Sequence, residues 1–214
     1  DYRMQNHYWI AYRNLRLNQK KRYMLSAQLS YDITDWLNIS GRVRVDNTHT
    51  KYEQKLYASS NLTITEESTQ GHYTISKPDE TQTYADVLAN INKRFNDFSL
   101  VANVGASIAN NRYEDLSYRG PIREKGIPNV FNVFDLDNTK KKARQDEWQE
   151  QTQSVFASVE VGWKSMLYLT LTGRNDWASQ LANSSTPCFF YPSVGLSGVI
   201  SEMLTLPEFI DYMK

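Results

Sequence analysis

The chain has 214 residues, a length that suits one all-β domain. Its 24 basic residues balance 24 acidic ones, so nothing in the charge favours a nucleic-acid partner. A mean hydropathy of −0.61 reads as soluble, and no run approaches the ~18 apolar residues of a spanning helix, but neither fact excludes a membrane barrel, which needs apolar residues at only every second strand position. The 14 Tyr and 5 Trp are the type of residue that collects at membrane interfaces.

Residues 1–22 are polar and aromatic and read as the end of an extracellular loop entering a strand. A first strand over 23–31 sets Tyr23, Leu25, Ala27, Leu29 and Tyr31 on one face. Tyrosines at both ends of an aliphatic stripe fit two interfacial girdles about 25 Å apart. After a turn at Asp32–Asp35, a second strand over 36–47 sets Leu37, Ile39, Gly41, Val43 and Val45 against Asn38, Ser40, Arg42 and Arg44. Each arginine would cost about 2–4 kcal/mol facing lipid at the midplane, so Arg42 and Arg44 fix the inward, lumen side.

Residues 48–82 read as a long polar loop with a short strand at Leu62-Thr63-Ile64 inside it. A third strand over 83–95 turns Ala85, Val87, Ala89 and Ile91 outward and Asp86, Asn90 and Asn92 inward. Asn96-Asp97 makes a tight turn, and a fourth strand follows over 98–110. Residues 111–151 form a second long loop, with turn signals at Gly120-Pro121 and Gly126-Ile127-Pro128. Its apolar stretch Asn129–Phe134 packs into the lumen or onto a partner, and Asp146–Gln153 suits a short helix.

Val155–Trp163 and Leu167–Thr172 alternate apolar and polar residues about the turn Lys164-Ser165-Met166. A third loop covers 178–188, a last strand carries bulky residues at even positions from Phe190 to Ile200, and Glu202–Tyr212 crosses the periplasmic rim. One face of these strands is continuously apolar and the other is Ser, Thr, Gly, Tyr, Arg or Glu, the pattern of a strand between lipid and water. Short turns alternate with long loops, which is the outer-membrane arrangement. The expected fold is all-β: an antiparallel transmembrane barrel segment of about seven strands.

The wording of the segments adds to this. Leu169-Thr170-Leu171-Thr172-Gly173-Arg174-Asn175-Asp176-Trp177, then Phe189-Phe190-Tyr191-Pro192-Ser193-Val194-Gly195-Leu196-Ser197, then Ile200-Ser201-Glu202, resemble the barrel of SusC/RagA-type TonB-dependent outer-membrane transporters. His7-Tyr8-Trp9-Ile10, Arg13-Asn14 and Tyr31-Asp32-Ile33-Thr34-Asp35-Trp36-Leu37-Asn38 agree, the last being similar to the family's periplasmic-turn signature. The resemblance implies a fragment of a roughly 22-stranded barrel in the bacterial outer membrane, with the plug domain, the TonB-contacting segment and the terminal aromatic strand not in this sequence. It also implies energy-coupled import of oligosaccharides or peptides, with a SusD-like surface lipoprotein as lid and TonB as the powered partner.

For site residues, Arg42, Arg44, Glu160, Arg174 and Asp176 are expected on the lumen face, pairing with a plug or with each other. Tyr113, Tyr118, Phe131, Phe134 and Trp148 are the loop aromatics placed to meet a ligand or partner. His7, His49 and His72 read as separate loop residues without metal-ligand spacing. Asp135-Leu136-Asp137-Asn138 resembles the start of a calcium loop but lacks the glycine and the terminal glutamate, so an ordinary loop is expected and no metal or cofactor. The single Cys188 has no disulfide partner and reads as inert. No acid/base or nucleophile set converges, so an enzyme is not expected. The alternatives are a passive outer-membrane porin or structural barrel, and a soluble secreted carbohydrate-binding β-domain, which would need a second sheet over its apolar face.

Overall fold

The computed structural model describes residues 5–200; the rim segment Glu202–Tyr212 lies outside them. A short helix, α1 (His7–Arg13), precedes eight strands: β1 (Asn14–Thr34), β2 (Leu37–Tyr57), β3 (Gly71–Ser76), β4 (Asp79–Phe95), β5 (Phe98–Pro121), β6 (Lys142–Trp163), β7 (Leu167–Ala178) and β8 (Cys188–Gly198). They form one sheet in the order β1-β2-β3-β5-β6-β7-β8, with β4 also between β2 and β5. The pairings β2–β3, β3–β5, β6–β7 and β7–β8 are antiparallel.

β3 and β4 share one lane. Tyr52 pairs with Ser76, and the same register carries on to Asn47, whose Nδ2 donates to Thr81 Oγ1 at 2.7 Å. The break falls at Lys77-Pro78, because proline has no N–H for the ladder. Its carbonyl still accepts from the Thr50 N–H at 2.9 Å. Eight strands therefore fill the seven positions expected.

The chain gathers into two compact units. The turn unit holds Leu25–Val45, Gln82–Asn111 and the chain from Glu150. Its tight turns fall at Asp35-Trp36, Asn96-Asp97 and Lys164–Met166, close to or at the expected places. Asn96, Lys164 and Ser165 have φ of 50°, 50° and 57°, the left-handed backbone that short hairpins need and asparagine tolerates. Register then sorts side chains by face: Val161, Leu169 and Leu196 stand opposite one another, as do Glu160, Thr170 and Gly195. The apolar row is uncovered, with Leu171 46%, Val194 73% and Leu196 71% exposed. On the polar face a Cβ at Gly105 would lie 2.7 Å from the Phe156 ring, so glycine there lets that ring lie flat on the sheet.

The extension unit holds the chain up to Met24, Asp46–Thr81 and Arg112–Gln149. It has a buried core of its own, in which Leu56, Tyr73, Ile122 and Leu136 join Ser60, Thr65, Ser68 and His72. The segments 58–70 and 122–141 fold onto the strands. Thr65 Oγ1 donates to the Ser68 carbonyl and Ser68 Oγ to the Ile122 carbonyl, both at 2.8 Å. Gly71, at φ 113°, lies so close to the Leu56 carbonyl that a Cβ would sit 2.6 Å from it. Arg22 forks onto the Asp46 carboxylate.

Several expected boundaries need correction. The long loops 48–82 and 111–151 are mostly strand, since β2 runs on to Tyr57, β3 and β4 fill most of 71–82, β5 reaches Pro121 and β6 starts at Lys142. Asp146–Gln153 is strand rather than helix, Leu62-Thr63-Ile64 lies in consecutive turns rather than a strand, and β1 begins at Asn14 rather than near 23. The cause is a loss of apolar alternation where both faces of the strand are polar; there the ladder sets the conformation, not local propensity. The histidines are not loop residues either: His7 is in α1, His49 in β2 and His72 in β3.

Candidate functional site

In the turn unit, polar side chains line up on the face opposite the Leu/Val rows. On β2, Arg42 Nε donates to Asp86 Oδ2 at 2.9 Å and Arg44 reaches Gln82 Oε1 at 3.3 Å. Both guanidinium groups lie over the Tyr84 ring, at 5.5 and 5.4 Å from its centroid, a favourable stacking for a delocalised cation. The Arg44 Nε is buried without a partner. Farther along the sheet, Phe156 pairs with Arg174 and Ser154 with Asp176, which puts those four on one face. Arg174 Nε donates to Asp176 Oδ1 at 2.8 Å and its Nη2 to Ser154 Oγ at 3.0 Å. Glu160, on the same face of β6, accepts from Thr170 Oγ1 at 3.2 Å. The five polar candidates thus fall into two groups, Arg42 with Arg44, and Arg174 with Asp176, while Glu160 stands apart.

The aromatic candidates divide differently in the extension unit. Tyr113 and Trp148 are on strands β5 and β6, not in a loop, and stack at 5.5 Å and 14°. Desolvation and then the Asp115 carboxylate push the Tyr113 hydroxyl pKa up. Tyr118 also belongs to a strand, opposite Ile75. Phe131 packs edge-on against Tyr57 at 5.0 Å and lies 6.0 Å from Tyr73, so it is committed to folding the 122–141 segment down. Phe134 is 80% exposed with Arg123 over its ring. The acidic run nearby is also spoken for. Asp135 takes Arg123 at 2.7 Å, and Asp137 accepts from the Thr139 N–H and hydroxyl, which lower its pKa.

A feature the sequence reading missed lies in this unit. A pocket of about 650 Å³ is lined by Ile10, Asn14, Arg16, Gln54, Leu56, Ile64, Glu66, His72, Thr74 and Arg119. β3 is responsible for it: His72 and Thr74 point into it beside Leu56 and Gln54, their ladder partners on β2. Buried His72 has Nε2 3.6 Å from Glu66 Oε1, and its Nδ1 is buried without a partner. Burial pulls its pKa below the usual range despite Glu66, which holds the ring neutral. Gly71-His72-Tyr73-Thr74-Ile75-Ser76 does alternate in sequence, and that period was the signal available.

A long antiparallel sheet, apolar on one side and polar on the other in its turn unit, defines a segment of a membrane-type β-barrel. The chain belongs to the TonB dependent receptor-like, beta-barrel family, whose model matches residues 1–203. Among solved structures it is similar to the RagAB peptide transporter, at TM-score 0.71 and 15% identity over 91% of this chain and 21% of that one. The siderophore receptor PiuA from Acinetobacter baumannii follows at TM-score 0.52 and 14% identity, over 87% of this chain and 30% of that one. At such identities the likeness is one of fold. The chain spans about a fifth of the RagAB chain it matches. No curated protein matches it. The barrel expected from the motifs, of SusC/RagA type, agrees with these findings, and the structures matched are transporters or receptors.

Proposed function

We propose that this chain is barrel wall of an outer-membrane importer driven through TonB, which takes up oligosaccharides or peptides under a SusD-like surface lipoprotein. The family match across residues 1–203 carries this reading. Two features of the sheet support it. The Leu/Val rows around Leu169 and Leu171 have no protein cover, as suits contact with outer-membrane lipid. The opposite face carries Arg42, Arg44, Glu160, Arg174 and Asp176, which would line a lumen beside a plug. The segments 58–70 and 122–141 would meet the lipoprotein and the incoming substrate.

The test is uptake of a labelled oligosaccharide or peptide by cells with and without TonB, alongside detergent fractionation. Uptake that stops without TonB, by a protein found in the outer membrane, is the expected result. Uptake that continues without TonB would make it a passive pore, and a protein soluble without detergent would sink the membrane reading.

A further inference from the structure

The pocket under residues 58–70 has a chemistry of its own. Two guanidinium groups line it, those of Arg16 and Arg119. Arg119 is 4.0 Å from Glu66, its acidic neighbour there, and Arg16 has no acidic partner among the described residues. With His72 neutral, one positive charge is left over. Nδ1 of His72 is a second unmet group at the same place, and a buried polar atom calls for a partner. Thr74 and Gln54 add neutral donors and acceptors. The other wall is aliphatic, formed by Ile10, Leu56 and Ile64. Among the described residues no Phe, Tyr or Trp lines the pocket, so it lacks the broad flat surface on which a sugar ring stacks. Its volume of about 650 Å³ is in the range of small-ligand sites.

Resting on the import reading above, we infer that this pocket binds the free carboxylate end of a peptide whose last side chain is aliphatic. Arg16 and Arg119 take the carboxylate, the ligand geometry that arginine forks fit. Ile10, Leu56 and Ile64 surround the side chain. The peptide's last N–H has His72 Nδ1 or Glu66 to donate to. The pocket would select peptide ends rather than internal segments, which offer no charge to the two arginines.

The test uses the full-length protein in detergent with whatever lipoprotein co-purifies, titrated in a calorimeter. The probes are a short peptide ending in leucine as its free acid, the same peptide as its C-terminal amide, and the same peptide ending in glycine. Wild-type protein should bind the acid at least about tenfold more tightly than the amide, since a charge-assisted pair contributes that much. Arg16→Gln with Arg119→Gln should abolish that preference. Ile64→Asn, at a half-exposed turn position that tolerates polarity, should narrow the gap between leucine and glycine endings. Equal binding of acid and amide by the wild type, or an acid preference that survives the double variant, overturns the pocket while uptake of peptide keeps the import reading intact. A wild type that binds no peptide at all overturns both the pocket and the peptide form of the import reading.

Discussion

The turn unit and the extension unit share β1, β2, β4, β5 and β6, yet they are stabilised in opposite ways. The turn unit turns its aliphatic side chains away from the rest of the protein; Val194 and Leu196 are each more than two-thirds exposed. The extension unit buries a small aliphatic core of its own, with Ile122 and Leu136 each 1% exposed. A sheet between lipid and water needs no core, because lipid is the apolar phase. A sheet with water on both faces has to make a core, and here two irregular segments, 58–70 and 122–141, fold back to provide it. Buried Thr65, Ser68 and Glu53 are tolerated because each has a hydrogen-bond partner within the unit.

The strongest way to sharpen that contrast is to hollow the core. Leu136→Ala removes a fully buried side chain from a residue whose backbone pairs with Ile122 and should cost about 2–5 kcal/mol locally. Hydrogen exchange should rise across 58–70 and 122–141 and stay unchanged in β7 and β8. If β7 and β8 loosen equally, the two units are not independently stabilised.

The complementary test charges the apolar row. Leu169→Arg places a guanidinium on a row shared with Val161 and Leu196 and should cost about 2–4 kcal/mol if that row meets lipid. Thr170→Arg, one residue on and on the polar face, should cost under about 1 kcal/mol. Urea unfolding of the protein in lipid vesicles measures both. Equal costs would mean that water bathes both faces.

These two units also explain what could be read from the sequence. Strand identity, register parity and the turns at Asn96-Asp97 and Lys164–Met166 were legible wherever one face had to be apolar. Arg174 and Asp176 share a parity, and the β6–β7 register sets them opposite Phe156 and Ser154; Arg42 and Arg44 were assigned inward by the cost of facing lipid. Reading failed from Asn47 upward on β2 and from Asn111 on β5, where Thr, Asn, Glu and Lys occupy both faces. There the local sequence looks like loop, and only long-range pairing, such as Tyr52 with Ser76, makes it strand. The pocket was illegible for a related reason. Arg16, His72 and Arg119 lie on three strands, and nothing in the spacing of the chain announces that they converge.

Gly71 probes the junction where the extension core closes. Its φ of 113° and the 2.6 Å approach of a Cβ to the Leu56 carbonyl make Gly71→Ala strained in both backbone and space. The expected cost is about 1–3 kcal/mol, seen as faster protease cleavage in 58–70. Unchanged cleavage would show that β3 can shift to accept a methyl group.

The smallest effect is a pH dependence confined to the extension unit. Burial lowers the His72 pKa from its usual 6.5, with Arg119 and Lys142 adding to this and Glu66 opposing it. The Tyr73 hydroxyl donates to Glu53 Oε1 at 2.7 Å and lowers the Glu53 pKa from 4.5, with Lys51 and Lys55 adding to it and burial opposing. In both cases the unfolded chain takes up its proton at higher pH than the folded one. Both contributions are therefore complete above the unfolded pKa and are lost as pH falls through the folded value. Two steps of loosening should appear on acidification, the first starting below about pH 6.5 from His72 and the second below about pH 4.5 from Glu53. His72→Asn should remove the first step and leave the second; Tyr73→Phe should weaken the second by returning Glu53 toward its unperturbed value. Exchange rates in β7 and β8 should show neither step, and a His72-dependent step there would mean that the core of one unit also governs the other.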